Sequence, residues 1–294
     1  MIPAELAKKV RYIQIYTSKA VNDVLAGEYH SVFKGRGMEF DEVREYVPGD
    51  EIRTIDWNVT ARTGRPHVKR YREERELTLM LLVDLSASQH FGAVQRLKNE
   101  VATELCALLA FSAIKNNDKV GLVVFTDEIE LYIPPKKGTS HVLRVIRDLL
   151  AFAPRRKGTN IALALDFLGR VVSKRCVTFL ISDFIGSGYD RSLRVVARRH
   201  DLVAVTVTDP RESHLPKVGM ATVEDAETGE TWLLDTSSAA VRSRYEAAAR
   251  ARAAQLRDLF VAIGIDHISA HTNRDYVRDL VTFFRRRERR MEHG

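Results

Sequence analysis

Asp84, Ser86 and Ser88 place one carboxylate and two hydroxyls within a single turn, in the run T-L-M-L-L-V-D-L-S-A-S that begins at Thr78. All three are hard oxygen donors. Such a set suits Mg2+ or Mn2+ and suits zinc or copper poorly. The same residues have a plainer use, because Asp and Ser after a strand also cap the helix that follows. Other chemical signatures are missing from the chain. It contains no G-x-x-x-x-G-K-[ST] phosphate loop and no G-x-S-x-G elbow. Its nine histidines are scattered. His67, His141, His200 and His271 have no ligand-spaced neighbour and read as structural or exposed.

The apolar run before Asp84 is short and rich in Leu and Val, the pattern of a strand buried on both faces. Asp84 then stands at its carboxyl end, where open α/β sheets place their ligands. The chain has 294 residues, 45% of them hydrophobic and 29% charged, as in ordinary globular proteins. A formal net charge of +7 permits contact with nucleic acid or an anionic surface. It does not demand it, since 39 acids offset 46 bases. Cys106 and Cys176 sit in apolar patterns without metal spacing, so they read as buried free thiols of a reducing compartment. There is no run of about 18 uncharged apolar residues. The stretch M-I-P-A-E-L-A-K-K lacks the apolar centre of a signal peptide. The expected location is the cytoplasm, with peripheral membrane contact left open.

Taken in order, residues 3–27 carry Leu6, Val10, Ile13, Ile15, Val21, Val24 and Leu25 among charges, which predicts one or two amphipathic helices. Residues 28–75 are dense in both charge signs, with a turn at Val47-Pro48-Gly49-Asp50 and Tyr46 and Trp57 as large apolar anchors. After Ser88, Val94 to Ile114 has the spacing of an amphipathic helix (Val94, Leu97, Val101, Leu105, Leu108). Val120 to Phe125 is a buried strand, Glu128 to Ile133 a hairpin or edge extension, and Pro134 to Gly138 a loop. His141 to Phe152 is helical. Gly158 and Thr159 open the next helix, with Thr159 a candidate N-cap. Val177 to Ile181 is a strand closed by Ser182-Asp183. Arg191 to His200 is a helix and Leu202 to Val207 a strand. Gly219 to Leu234 reads as an exposed hairpin turning near Glu227-Thr228-Gly229. A helix from Ala239 to Phe260, a strand from Ile265 to Ala270 and a basic-ended helix from Tyr276 to Arg290 complete the chain. Alternating βα units predict an α/β fold with a doubly wound, mostly parallel sheet.

The block G-R-G-M-E-F-D-E-V-R-E-Y-V-P-G-D-E-I-R-T-I-D-W-N-V-T-A-R, Gly35 to Arg62, closely resembles the signature of the bacterial domain of unknown function 58 proteins. That resemblance implies a von Willebrand factor A-like (Rossmann-like) domain, over 76–294, behind an N-terminal helical and extended appendage, 1–75. It also implies pairing with a MoxR-type AAA+ ATPase. D-x-S-x-S, then G-T-N before a later helix, then an Asp closing the next strand resemble the metal-ion-dependent adhesion site of such domains. Carried over by position, Asp84, Ser86, Ser88, Thr159 and Asp183 match its five ligand types. The resemblance implies Mg2+ (or Mn2+), with one coordination position left for an acidic side chain of a protein partner. A dication held by two formal negative charges keeps its attraction for a third carboxylate.

Three functions follow, in descending order. The first is a cation-dependent protein-interaction module, an adaptor or substrate recogniser, with no catalytic constellation. The second is a Mg2+-dependent phosphohydrolase with Asp84 as nucleophile. It is disfavoured because the acid/base carboxylate expected two residues on is Ser86. The third is a nucleic-acid binder, disfavoured by dispersed charge and the absence of a recognisable binding motif.

Overall fold

Strands and helices alternate along most of the computed structural model of the chain. They are α1 (Ala26–Val32), β1 (Gly37–Glu45), α2 (Trp57–Thr63), β2 (His67–Glu74), β3 (Thr78–Asp84), α3 (Lys98–Lys115), β4 (Lys119–Phe125), β5 (Ile129–Lys136), α4 (Thr139–Leu150), α5 (Ile161–Val171) and β6 (Val177–Ser182). There follow α6 (Asp190–Arg199), β7 (Asp201–Thr208), β8 (Met220–Glu224), β9 (Thr231–Asp235), α7 (Ala239–Ile263), β10 (Asp266–His271) and α8 (Tyr276–Glu292). The structure describes residues 10–292 apart from 16, 18–19, 22–24, 34–36, 75 and 93–95, with backbone alone at 37–41, 71–74 and 90. Leu6, Val24, Gly35 and Val94 therefore lie outside the described residues.

The main sheet has six strands in the order β10-β7-β6-β3-β4-β5. All neighbours are parallel except β4 and β5. This is the doubly wound, mostly parallel sheet that the βα alternation predicts. β3 is its centre. From β3 the chain moves outward to β4 and β5, then returns to the other side for β6, β7 and β10. The carboxyl ends of β3 and β6 therefore flank the point where the winding reverses, which is where such sheets open a crevice. Leu79 through Asp84 are all buried, as the unbroken apolar run requires.

The helix over α3 departs from its amphipathic reading. Lys98, Thr103 and Ser112 are buried on it together with its apolar residues. The reason is that α1, α4 and α8 all pack against it. On α4, Val142, Val145, Ile146 and Leu149 are all buried, as their spacing predicts. Pro134 and Pro135, expected in a loop, lie within the edge strand β5, where a missing N–H is tolerated. At the basic end of α8, Arg285, Arg286, Arg289 and Arg290 are exposed, while Arg287 turns inward. Arg287 pairs with Asp201 and Asp266, and Arg290 with Asp266.

The chain divides into two compact units, one of Phe33–Leu77 and one containing the rest. The described residues up to Val32 thus group with the main sheet, whereas the expected division places all of 1–75 in one appendage. Burial explains this. Tyr29 and Val32 are buried, and the Tyr29 ring meets Phe284 edge-on at 6.1 Å. Ile13, Val21 and Leu25 are buried too, whereas Ile15 is exposed.

The smaller unit pairs β1 with β2 antiparallel and carries interlocked charges, as its mixed composition predicts. Arg44 grips Asp50 with two bonds of 2.8 and 2.7 Å, and Asp50 also closes the expected turn by accepting from the Val47 N–H. Asp56 caps α2, accepting from the N–H groups of Asn58 and Val59. Trp57 is not an anchor: it is 67% exposed, beside the buried Asp56. The cap turns inward and the first helical residue turns out.

His200 is buried, and its Nδ1 accepts from the Cys176 N–H. Burial, helped by Arg199 and Arg175, pulls its pKa down to about 4. The unfolded chain, with an ordinary value near 6.5, takes up a proton that the folded one refuses. Stability should therefore be full above pH about 6.5 and fall by up to roughly 3 kcal/mol as the pH drops towards about 4. Urea midpoints measured across that range should show a shallower fall for His200→Asn than for the unaltered chain; equal slopes would clear this histidine of the effect.

Candidate metal centre

β3 delivers Asp84 into the crevice fully buried. Its Oδ2 accepts from the Ser182 hydroxyl at 2.6 Å, and Oδ1 accepts from the Ser86 N–H at 2.9 Å. The parallel pairing of β3 with β6 places Ser182 there. Ser86 and Ser88 hold their hydroxyl oxygens 3.1 Å apart. The loop before α5 joins them where the Ala87 N–H donates to the Lys157 carbonyl at 2.9 Å.

Thr159 is not the cap of α5. Asn160 takes that place, its side chain accepting from the Leu163 N–H at 2.9 Å. The Thr159 hydroxyl is thereby released from helix capping. It donates instead to Glu227 Oε1 at 2.5 Å.

Asp183 follows β6 directly and is buried. Its Oδ1 accepts from the Ile185 N–H, and its Oδ2 from the Lys98 ammonium at 2.8 Å. The residue between, Phe184, has a φ of +56°, a left-handed conformation that bulky side chains rarely adopt. Two contacts hold it there. Its N–H donates to the Ser182 hydroxyl, and its ring packs against Phe260 at 5.2 Å. The strained residue thus lies between the bonds that fix Ser182 and Asp183.

The charges explain the behaviour of the carboxyls. Burial, reinforced by Asp183, pushes Asp84 up to about 7. Burial raises Glu227, and Asp183 and Asp225 add to the effect. Lys98 is the counterweight: burial lowers its pKa, but Asp183 and Glu212 raise it further, so the ammonium stays charged. Glu212 bonds Lys98 at 2.5 Å and is held in turn by the Asp209 N–H at 2.8 Å.

These residues fit a hard divalent cation. The set is all oxygen, the Thr159 hydroxyl is not used for helix capping, and the negative charges of Asp84 and Asp183 act on one another. Gln89 lies one residue beyond Ser88 with its carboxamide buried and without a hydrogen-bond partner among the described residues. Among those residues no group of three or more His, Cys, Asp and Glu gathers as a metal site, so any cation here depends on the hydroxyls.

Sequence reasoning missed Lys98, Ser182, Glu212 and Glu227. Lys98 carried little signal, because Glu100, Glu104 and Lys115 place other charges on the same helix. Glu212 and Glu227 carried none for these contacts, because the partners are remote in the chain: Lys98 lies 114 positions from Glu212, and Thr159 lies 68 from Glu227. Removing the buried ammonium would strand two carboxylates. Lys98→Ala should therefore lose about 3–5 kcal/mol of stability in chemical denaturation. A loss under about 1 kcal/mol would show that Asp183 and Glu212 find other partners.

Comparison with known proteins sets this geometry in a family. The family described as "Protein of unknown function DUF58" matches residues 42–255. An uncharacterized protein of Mycobacterium tuberculosis, Rv1480, is 33% identical over 288 residues, covering 97% of this chain and 90% of that protein. Among solved structures, the chain is similar to an aerotolerance-related membrane protein from Bacteroides fragilis (17% identity, 73% of this chain and 100% of that one, TM-score 0.49). It is similar also to the conserved hypothetical protein BatB from Bacteroides thetaiotaomicron (17% identity, 74% and 100%, TM-score 0.49). With both the matched segment and the full-length relative spanning most of the sequence, this chain belongs to the DUF58 family.

Proposed function

We propose that this chain is a divalent-cation-dependent protein-interaction module, an adaptor or substrate recogniser that works with a MoxR-type AAA+ ATPase in the assembly or maturation of other proteins. The observation that carries the reading is the Thr159 hydroxyl, free of helix capping and bonded to Glu227, a carboxylate on which Asp183 also acts. Asp84, Ser86, Ser88, Thr159 and Asp183 would hold Mg2+ or Mn2+. The bound ion would supply a Lewis-acidic point to which a partner's carboxylate can bind. The chain's own part is to fix the donors: Ser182 and the Ser86 N–H orient Asp84, and Lys98 orients Asp183.

Binding is better supported than phosphoryl transfer. Asp84 is buried with both oxygens engaged, and its neighbour two residues on is a hydroxyl rather than the second carboxylate that such a transfer needs. Nucleic-acid binding gains little, since basic side chains such as Arg285 and Arg290 are paired with Glu28 and Asp266. The MoxR partner rests on the resemblance of the Gly35 to Arg62 block. The cytoplasm suits two buried free thiols, and no described helix is long and apolar enough to cross a membrane.

Affinity capture from the source's own lysate, in Mg2+ and in EDTA, tests the reading. The unaltered chain should retain an AAA+ ATPase or a discrete client in Mg2+ only, and Asp84→Ala, folded by circular dichroism, should retain neither. Retention that ignores both metal and variant would remove the crevice from the interaction. The signature block should then be the surface involved. There Trp57→Ala should leave stability within about 0.5 kcal/mol yet weaken the captured complex by 10-fold or more. An unchanged complex would exclude Trp57 from the interface.

A further inference from the structure

The hairpin β8–β9 stands apart from the main sheet. It forms a two-stranded sheet of its own, and Met220, Trp232 and Leu233 on it are 61, 48 and 65% exposed. Its base is pinned at Thr236, whose hydroxyl accepts from the Val218 N–H and donates to the Gly219 carbonyl. Gly219, at φ +86°, occupies a conformation that only glycine takes readily. Its tip is rigid. The Asp225 carboxylate accepts from the N–H groups of Glu227 and Thr228 at 2.9 and 3.0 Å, and the Gly229 N–H returns to the Asp225 carbonyl at 2.8 Å. The tip is built to hold Glu227 in one direction, and that direction is the crevice. Glu227 is half-buried there, bonded to Thr159 and facing Asp183.

We propose that Glu227 is an intramolecular ligand of the cation site: it takes the position otherwise offered to a partner's carboxylate, so the hairpin caps the site and a partner must displace it. The inference rests on the cation-binding reading above. A carboxylate oxygen 2.5 Å from the hydroxyl of a donor residue is already where an acidic partner residue would have to arrive. Nothing else in the hairpin requires this contact. An exposed turn closed by Asp225 and Gly229 needs only the backbone N–H of residue 227, which any residue but proline supplies. Because the competing group is tethered, it acts at an effective concentration in the range of mM, and weak acidic ligands are excluded while a partner with further contacts is not.

Mn2+ is the probe, with its affinity read by calorimetry and its bound water by proton relaxation. In the unaltered full chain it should bind with few exchangeable waters, and it should slow hydrogen exchange across residues 220–235. Glu227→Gln keeps the shape and removes the charge. It should bind Mn2+ about 10-fold more weakly, gain an exchangeable water and lose the exchange protection. Acetate should then raise the affinity of this variant but not of the unaltered chain. Glu230→Gln, in the same turn, should behave as the unaltered chain, which guards against a general effect of the hairpin. If Glu227→Gln matches the unaltered chain in affinity and relaxation while Asp84→Ala binds nothing, the capping role is wrong and the cation site stands. If the unaltered chain binds no Mn2+, both readings fall together.

Discussion

A carboxylate that ends a strand sealed on both faces cannot reach bulk water, and leaving it uncompensated costs several kcal/mol. Asp84 is that group, and much of the architecture answers it. The β3–β6 pairing brings the Ser182 hydroxyl to one oxygen, and the turn after β3 brings the Ser86 N–H to the other. Two neutral donors do not supply a countercharge, and Asp183 nearby makes the potential more negative. The upward displacement of Asp84 to about 7 is the physical expression of that imbalance. A dication among the hydroxyls of Ser86, Ser88 and Thr159 would remove it.

Lys98 sets the balance of the crevice. Its ammonium lies against Asp183 and Glu212 and is itself wholly buried. Asp183 is therefore partly neutralised before any ion arrives. An ion bound beside it would keep more of its attraction for a further carboxylate than two free aspartates would allow. Glu227 is such a carboxylate, supplied in cis. The strained Phe184 belongs to the same design. Its backbone follows Ser182 and Asp183 directly, and burial of its ring against Phe260 and Tyr189 holds that conformation in place.

The smaller unit solves a different problem. With little apolar area, Phe33–Leu77 relies on a β-ribbon, a capped two-turn helix and forked or capping carboxylates. Arg44 and the Val47 N–H hold Asp50 below the usual carboxylate range, and the Val59 and Asn58 N–H groups do the same for Asp56. Asp50 and Asp56 are thus structural, as the finely mixed charge of the segment suggests. This leaves Trp57, Ile52 and Val47 exposed, which is the opposite of what a large aromatic in a charged stretch suggests.

Local pattern carried the fold. Unbroken Val/Leu runs at β3, β4 and β6 dictate buried parallel strands, and the period of Val142, Val145, Ile146 and Leu149 dictates the buried face of α4. The resemblance of the ordered D-x-S-x-S, G-T-N and strand-closing Asp to a metal-ion-dependent adhesion site named Asp84, Ser86, Ser88, Thr159 and Asp183 as the candidate ligands. Their partners were illegible. Whether Thr159 caps α5 depends on a competition with Asn160 that only backbone geometry decides. Lys98, Glu212 and Glu227 meet the site across 68 to 114 residues of chain. A charged residue looks the same in sequence whether it faces water or a buried opposite charge. Side-chain period is a local property and survives in the sequence; charge pairing across a crevice is a property of the closed chain, and only the tertiary structure contains it.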